Sequence, residues 1–145
     1  MTSDLYQLIT TTLIEKINYL QGLINDLRAS NNETKSSMGD KYETSREMMQ
    51  QEITRIQNQL NEVLTQQEQF KKIVIKKHDT IALGSYVETT MGNFCIAISL
   101  GEIKDQSKKI FVLSSQTPLG QLLIRKRVGD EISLNGKLIK INLVE

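Results

Sequence analysis

The chain has one cysteine, one histidine, one proline and no tryptophan in 145 residues, and each scarcity removes a class of explanation. The lone Cys95 cannot close an internal disulfide. One cysteine and one histidine cannot assemble a tetrahedral metal site of the Cys/His type. Apolar runs never reach the roughly 18 residues needed to span a bilayer, so no membrane association is expected. Met1-Thr2-Ser3-Asp4 shows no basic segment leading into an apolar one, so no secretory signal is expected either. Together these absences point to the cytoplasm.

Nucleophile chemistry has little to build on. Cys95 lies inside the apolar run 94–98, with no glycine-framed turn and no second acid at a useful spacing to pair it with His78. A buried cysteine is a common core residue. Gly84, Gly92 and Gly101 are widely spaced and match no phosphate-cradling motif.

What the chain does have is an uneven charge distribution. Residues 1–70 hold 6 Lys/Arg against 10 Asp/Glu, a net of −4, whereas residues 71–145 hold 12 against 7, a net of +5. The near-neutral total therefore hides two halves suited to different surfaces of a partner, one of them containing nucleic acid. The plainer alternative is a pair of ordinary solvated faces.

The halves also differ in period. Leu13, Ile17, Leu20, Ile24 and Leu27 recur at steps of 4, 3, 4 and 3, with Leu5 and Ile9 extending the stripe backwards. That is a heptad seam. Met49, Ile53, Ile56, Leu60 and Val63 repeat it, followed by Gln67 as a polar interruption and then Phe70. Between the arms, 29–39 is rich in Ser, Asn, Thr and Gly, which favour caps and turns. Two such arms fold back most simply into an antiparallel two-helix hairpin, on the order of 40 Å long at about 1.5 Å per residue.

From residue 77 the pattern changes to short alternating runs at 85–89, 93–99, 109–114, 131–134 and 138–144. Asn135-Gly136 carries the residues a two-residue type I′ hairpin requires. Thr117 and Pro118 suit the N-cap and first turn of a short helix over 118–126. The expected fold class is α+β: a coiled-coil finger over 1–76, with its tip at about 30–43, then an antiparallel sheet domain with one short helix over 77–145.

At the tip stands Gly39-Asp40-Lys41-Tyr42-Glu43. Two carboxylates three residues apart, far from any core, are candidates for work on another molecule. They could equally be first-turn acids of the second helix, where the macrodipole favours them by about 0.3–1 kcal/mol. Tyr42 could touch a partner or close the hairpin end. A second candidate surface is basic: Lys71, Lys72, Lys76 and Lys77 at the junction, with Lys108 and Lys109, and with Arg125, Lys126 and Arg127. Such a cluster favours phosphate through counterion release, although Phe94 and Phe111 fall at strand positions and are expected in the core rather than as base-stacking platforms.

A heptad finger with an acidic tip ahead of a small sheet domain resembles the bacterial Gre transcript-cleavage factors, GreA and GreB. Leu83-Gly84-Ser85-Tyr86-Val87 looks like that family's domain-opening segment. The stretch 114–130, with Pro118-Leu119-Gly120, Leu123-Ile124 and Val128-Gly129-Asp130, looks like its short helix followed by Gly-Asp and the final hairpin. Gly39-Asp40 with Glu43 is similar to the family's Gly-Asp-x-x-Glu tip. Between the acids the family carries Leu-Ser and after them Asn-Ala-Glu-Tyr; here those places hold Lys41-Tyr42 and Thr44-Ser45-Arg46-Glu47.

The resemblance implies an accessory transcription elongation factor, not an enzyme in its own right. Its finger would enter the secondary channel of RNA polymerase as a monomer and reach the nascent RNA 3′ end. Asp40 and Glu43 would be the catalytic and metal-binding residues, holding Mg2+ shared with the polymerase while the polymerase hydrolyses backtracked RNA. Lys41, Tyr42, Lys71, Lys72, Lys76, Lys77, Arg125, Lys126 and Arg127 would be partner or RNA contacts. Lys41 beside the acids leaves room for a second outcome, a channel-binding regulator that does not cleave. The family's second domain also resembles the FKBP-type prolyl isomerases. That pocket is lined by aromatics, and this half offers Tyr86, Phe94 and Phe111. A third alternative is an interaction protein whose heptad arms pair with another chain, with Gln67 setting register.

Overall fold

The heptad spacing is realised as two helices, α1 (Ser3–Thr34) and α2 (Glu43–Lys71), in a computed structural model that describes residues 1–34 and 43–145. The Thr2 hydroxyl accepts the Leu5 N–H at 3.2 Å and so caps the start of α1. Asp4 adds a favourable charge in the first turn. By contact the chain forms two compact units, Thr11–Gln67 on one hand and Met1–Thr10 with Glu68–Glu145 on the other. The division cuts both helices, whereas the change of periodicity near residue 77 marks the end of helical sequence.

In the first unit Leu13, Leu20, Ile24, Ile53, Ile56, Leu60 and Val63 are buried. Ile17, Leu27 and Met49 are half-buried on the same stripes, and the positions between them are largely exposed. The start of α1 and the end of α2 lie together, with the Tyr6 ring stacked on Phe70, so the two helices run antiparallel. Their seams are the large apolar surfaces the unit has to cover, and they cover each other.

The second unit holds a mixed sheet of six strands among the described residues: β1 (Tyr86–Thr89), β2 (Asn93–Ile96), β3 (Gly101–Asp105), β4 (Lys108–Leu113), β5 (Glu131–Leu134) and β6 (Lys137–Val144). The order is β3-β4-β2-β1-β6-β5. The α+β class holds, but the expected purely antiparallel sheet is corrected, because β2 and β4 pair in parallel from Asn93↔Ile110 to Ile96↔Leu113. The cause is β3. After β2 the chain turns at Gly101, φ +94°, lays down β3 at the sheet edge, and returns as β4 between β3 and β2. With Ile103 as its one apolar side chain, β3 has the charged character that blunts an edge strand, and this hides it from hydropathy patterning.

One sheet face buries Val87, Phe94, Ile96, Leu113, Ile132, Ile139 and Ile141 with Leu123 of α3 (Pro118–Leu123). The other buries Cys95, Ile103, Ile110 and Val112. On that side the Met1 sulfur lies 3.9 Å from the Cys95 sulfur. The unit also contains both helix roots, where the Tyr6 and Phe70 rings stack at 4.6 Å. α3 is capped as expected, with the Thr117 hydroxyl accepting the Gly120 N–H at 3.1 Å. It stops at Leu123, short of residue 126. There Arg125 takes φ +71° and the chain pairs sideways instead, the Ile81 N–H donating to the Lys126 carbonyl at 2.9 Å and the Arg125 N–H to the Ile81 carbonyl at 2.8 Å.

Candidate functional site

Asp40, Lys41 and Tyr42 lie outside the described residues, as does most of the tip placed at 30–43. Glu43 is the first residue of α2. Asp40 is placed by the chain alone, among the residues between α1 and α2 in sequence, and Glu43 opens α2. Among the described residues no group of three or more His, Cys, Asp or Glu side chains could hold a metal ion. No helix among them is long and apolar enough to cross a membrane.

The basic candidates separate into two sets. Lys71 pairs with Glu68 at 3.3 Å, Lys108 with Glu88 at 3.2 Å and Lys109 with Glu102 at 3.9 Å. Their charges are locally matched, and at this exposure such pairs contribute little stability. Lys72, Lys76, Lys77, Arg125, Lys126 and Arg127 form no ion pair among the described residues. The sideways pairing of Ile81 with residues 125 and 126 runs the segment after Lys76 and Lys77 alongside Arg125, Lys126 and Arg127.

Leu83 carries a signal that the sequence does not expose. It is 54% exposed and stands between two shallow grooves. One, of about 370 Å3, is lined by Leu83, Ser115, Gln116, Gln121, Ile124 and Arg125. The other, of about 270 Å3, is lined by Gln69, Lys72, Ile73, Leu83, Ala97 and Ile98. An exposed leucine between an unmatched lysine and an unmatched arginine has the apolar centre and charged rim of a protein-docking surface. Hydropathy alone places Leu83 in a strand-leading segment and says nothing of its exposure.

The remaining reactive groups are structural. Burial pushes the Cys95 thiol up to about 12, so it carries no thiolate at neutral pH. His78 is 8% exposed, and burial holds its imidazole below the ordinary value of 6.5, the nearby Glu145 carbonyl opposing the shift and the Met1 amine and Lys76 adding to it. Neither ring nitrogen has a hydrogen-bond partner in acceptable geometry. Phe94 is buried as expected, but Phe111 is 48% exposed. It shares the α3 side of the sheet with Phe94, its register partner, yet sits on β4 toward the β3 edge.

No protein-family model and no curated protein matches the chain. Solved structures do. The chain is similar to the GreA factor homolog 1 (Gfh1) protein of Thermus thermophilus, with 19% identity over 94% of both chains and a TM-score of 0.39. It is similar to a second structure of the transcription factor Gfh1, at 17% identity over 93% of this chain and 92% of that one, TM-score 0.41. Gfh1 of Thermus aquaticus shares 20% identity over 92% of each chain, TM-score 0.36. All three are structures of Gfh1, the first described as a GreA factor homolog.

Proposed function

We propose that the chain is an RNA polymerase-binding transcription factor of the Gre type, which places its helical hairpin in the secondary channel and stimulates hydrolysis of backtracked RNA. The observation that carries this reading is the joint one of sequence and fold: the Gly39-Asp40-x-x-Glu43 pattern follows α1 in sequence and ends on the first residue of α2, and the Gre-like segments 83–87 and 114–130 fall in the sheet unit. The factor works where the polymerase is, in the cytoplasm.

Asp40 and Glu43 offer hard oxygen donors, the kind Mg2+ takes, but two carboxylates are fewer than its octahedral shell needs. The residues fit a shared ion, completed by polymerase and RNA, and not an ion held by this chain alone. When bound, the ion supplies activation of water and stabilisation of the leaving oxygen. This chain's part is to present two carboxylates, with Lys41 between them lowering the local negative charge. The groove-flanked Leu83, with Lys72 and Arg125, gives the sheet unit a docking surface, and Lys76, Lys77, Lys126 and Arg127 give it a phosphate-attracting side that can face RNA.

A second reading has one observation in its favour. Lys41 and Tyr42 replace the family's Leu-Ser between the acids, which suits a factor that occupies the channel without promoting cleavage. Pairing through the heptad seam with another chain is disfavoured, since Leu13, Ile24, Ile53 and Ile56 are already buried within the hairpin. The test is co-sedimentation with core RNA polymerase from the same organism. Binding is expected, weakened by Leu83→Asp; no binding of the wild-type chain contradicts both channel readings.

A further inference from the structure

We propose that Asn135 is a hydrolytic modification site, held unreactive by the β5–β6 turn and exposed to deamidation when that edge hairpin opens. Asn135-Gly136 is the one Asn-Gly pair in the chain. Glycine after asparagine leaves the next backbone nitrogen unshielded, the condition for intramolecular attack on the side-chain amide. Both residues are exposed, and they occupy the left-handed region, φ +52° and +79°, as a two-residue turn between Leu134 and Lys137 demands.

The chemistry needs only water and hydroxide. Hydroxide removes the proton of the Gly136 amide, whose nitrogen attacks the Asn135 side-chain carbonyl carbon. A nitrogen–carbon bond forms, the bond to the side-chain nitrogen breaks as that nitrogen takes a proton from water, regenerating hydroxide, and ammonia leaves a five-membered succinimide. Water then opens the ring at either carbonyl, giving aspartate or isoaspartate, with no change of oxidation state. Ring closure requires rotation of the backbone between Asn135 and Gly136, and the pairing Leu134↔Lys137 restrains that rotation while the turn is formed. Reaction therefore waits for local opening, which comes most readily where backbone hydrogen bonds are exposed and buried contacts are few. β5 is the outermost strand on its side of the sheet.

The two products differ in consequence. Aspartate tolerates the same turn. Isoaspartate routes the main chain through the side chain and adds one backbone atom to a two-residue loop. The pairing Ile132↔Ile139 is then out of step, and both side chains are buried, at 4% and 2% exposure. Either product also removes the formal net charge of +1, since a neutral amide becomes a carboxylate.

The experiment incubates the full chain in mildly alkaline buffer, folded or unfolded in urea. Isoaspartate at position 135 is followed by peptide mass spectrometry and by labelling with an isoaspartyl methyltransferase. Conversion is expected to be at least about tenfold slower in the folded chain, as for any amide gated by local opening. Ile139→Ala, which loosens the hairpin, should close most of that gap; should this variant fail to fold, the wild-type chain at sub-denaturing urea gives the same comparison. Isolated isoaspartate chains should melt below Asn135→Asp chains. Equal rates in folded and unfolded chains overturn the gating, and absence of isoaspartate from the unfolded chain overturns the site. Identical melting of the isoaspartate and Asn135→Asp chains overturns the register consequence.

Discussion

The hairpin unit and the sheet unit bury their apolar side chains in different geometries. In Thr11–Gln67 each helix contributes a single stripe, so Leu13, Ile24, Ile53 and Leu60 are covered from one direction by the opposing helix. In the other unit the sheet is covered on both faces, by α3 over Val87, Phe94 and Ile141, and on the opposite side over Cys95, Ile110 and Val112. A helical stripe tolerates change between its seam positions, whereas a two-sided sheet leaves few positions without a neighbour. The helix roots belong to the second kind of packing although they share their sequence pattern with the first.

Removing Phe70 is expected to have the largest effect on stability. The side chain is 1% exposed and stacks on Tyr6, so Phe70→Ala should cost about 3–5 kcal/mol in urea denaturation. An effect within the range of an exposed substitution would break the claim that α2 ends in the sheet unit's core.

The same substitution at two glycines should then give opposite signs. At Gly120 an added Cβ would lie 2.3 Å from the Ser114 carbonyl oxygen, a backbone atom, so Gly120→Ala should destabilise by about 1–3 kcal/mol. At Gly22, inside α1, nothing lies within 4 Å of the added carbon. Gly22→Ala should stabilise the hairpin by about 0.5–1 kcal/mol, the helix-propensity difference. Thermal melts of the two variants compare them directly.

The smallest effect concerns pH and belongs to the sheet unit alone, because the one histidine is there. Burial depresses the His78 imidazole below its ordinary 6.5, so the unfolded chain takes up a proton that the folded chain resists. Stability contributed by neutral His78 is complete above pH 6.5 and is lost as pH falls from there through the depressed folded value. Denaturant midpoints should fall over that window in the wild type and less in His78→Gln.

Much of this was legible in sequence where one local rule decides the outcome. The heptad steps from Leu13 to Leu27 and from Met49 to Val63 gave the helices and their buried faces. Asn135-Gly136 gave the type I′ turn, and Thr117-Pro118 the cap of α3. The features that sequence concealed depend on distant partners. β3 carries one apolar residue and forms because β4 is beside it; the parallel pairing of β2 and β4 follows from β3 taking the edge. α3 ends early because Ile81 competes for the backbone of residues 125 and 126. The exposure of Leu83 and Phe111 is likewise decided by what packs around them. The acidic tip stays a reading of the sequence, with Asp40 outside the described residues.

The proposed action of this tip on RNA within the polymerase is read out by transcript length in backtracked complexes. Wild-type chain added to backtracked complexes of its own polymerase with Mg2+ should shorten the RNA from its 3′ end, and Asp40→Ala with Glu43→Ala should abolish the shortening while polymerase binding persists. Undiminished shortening by the double variant would contradict the account.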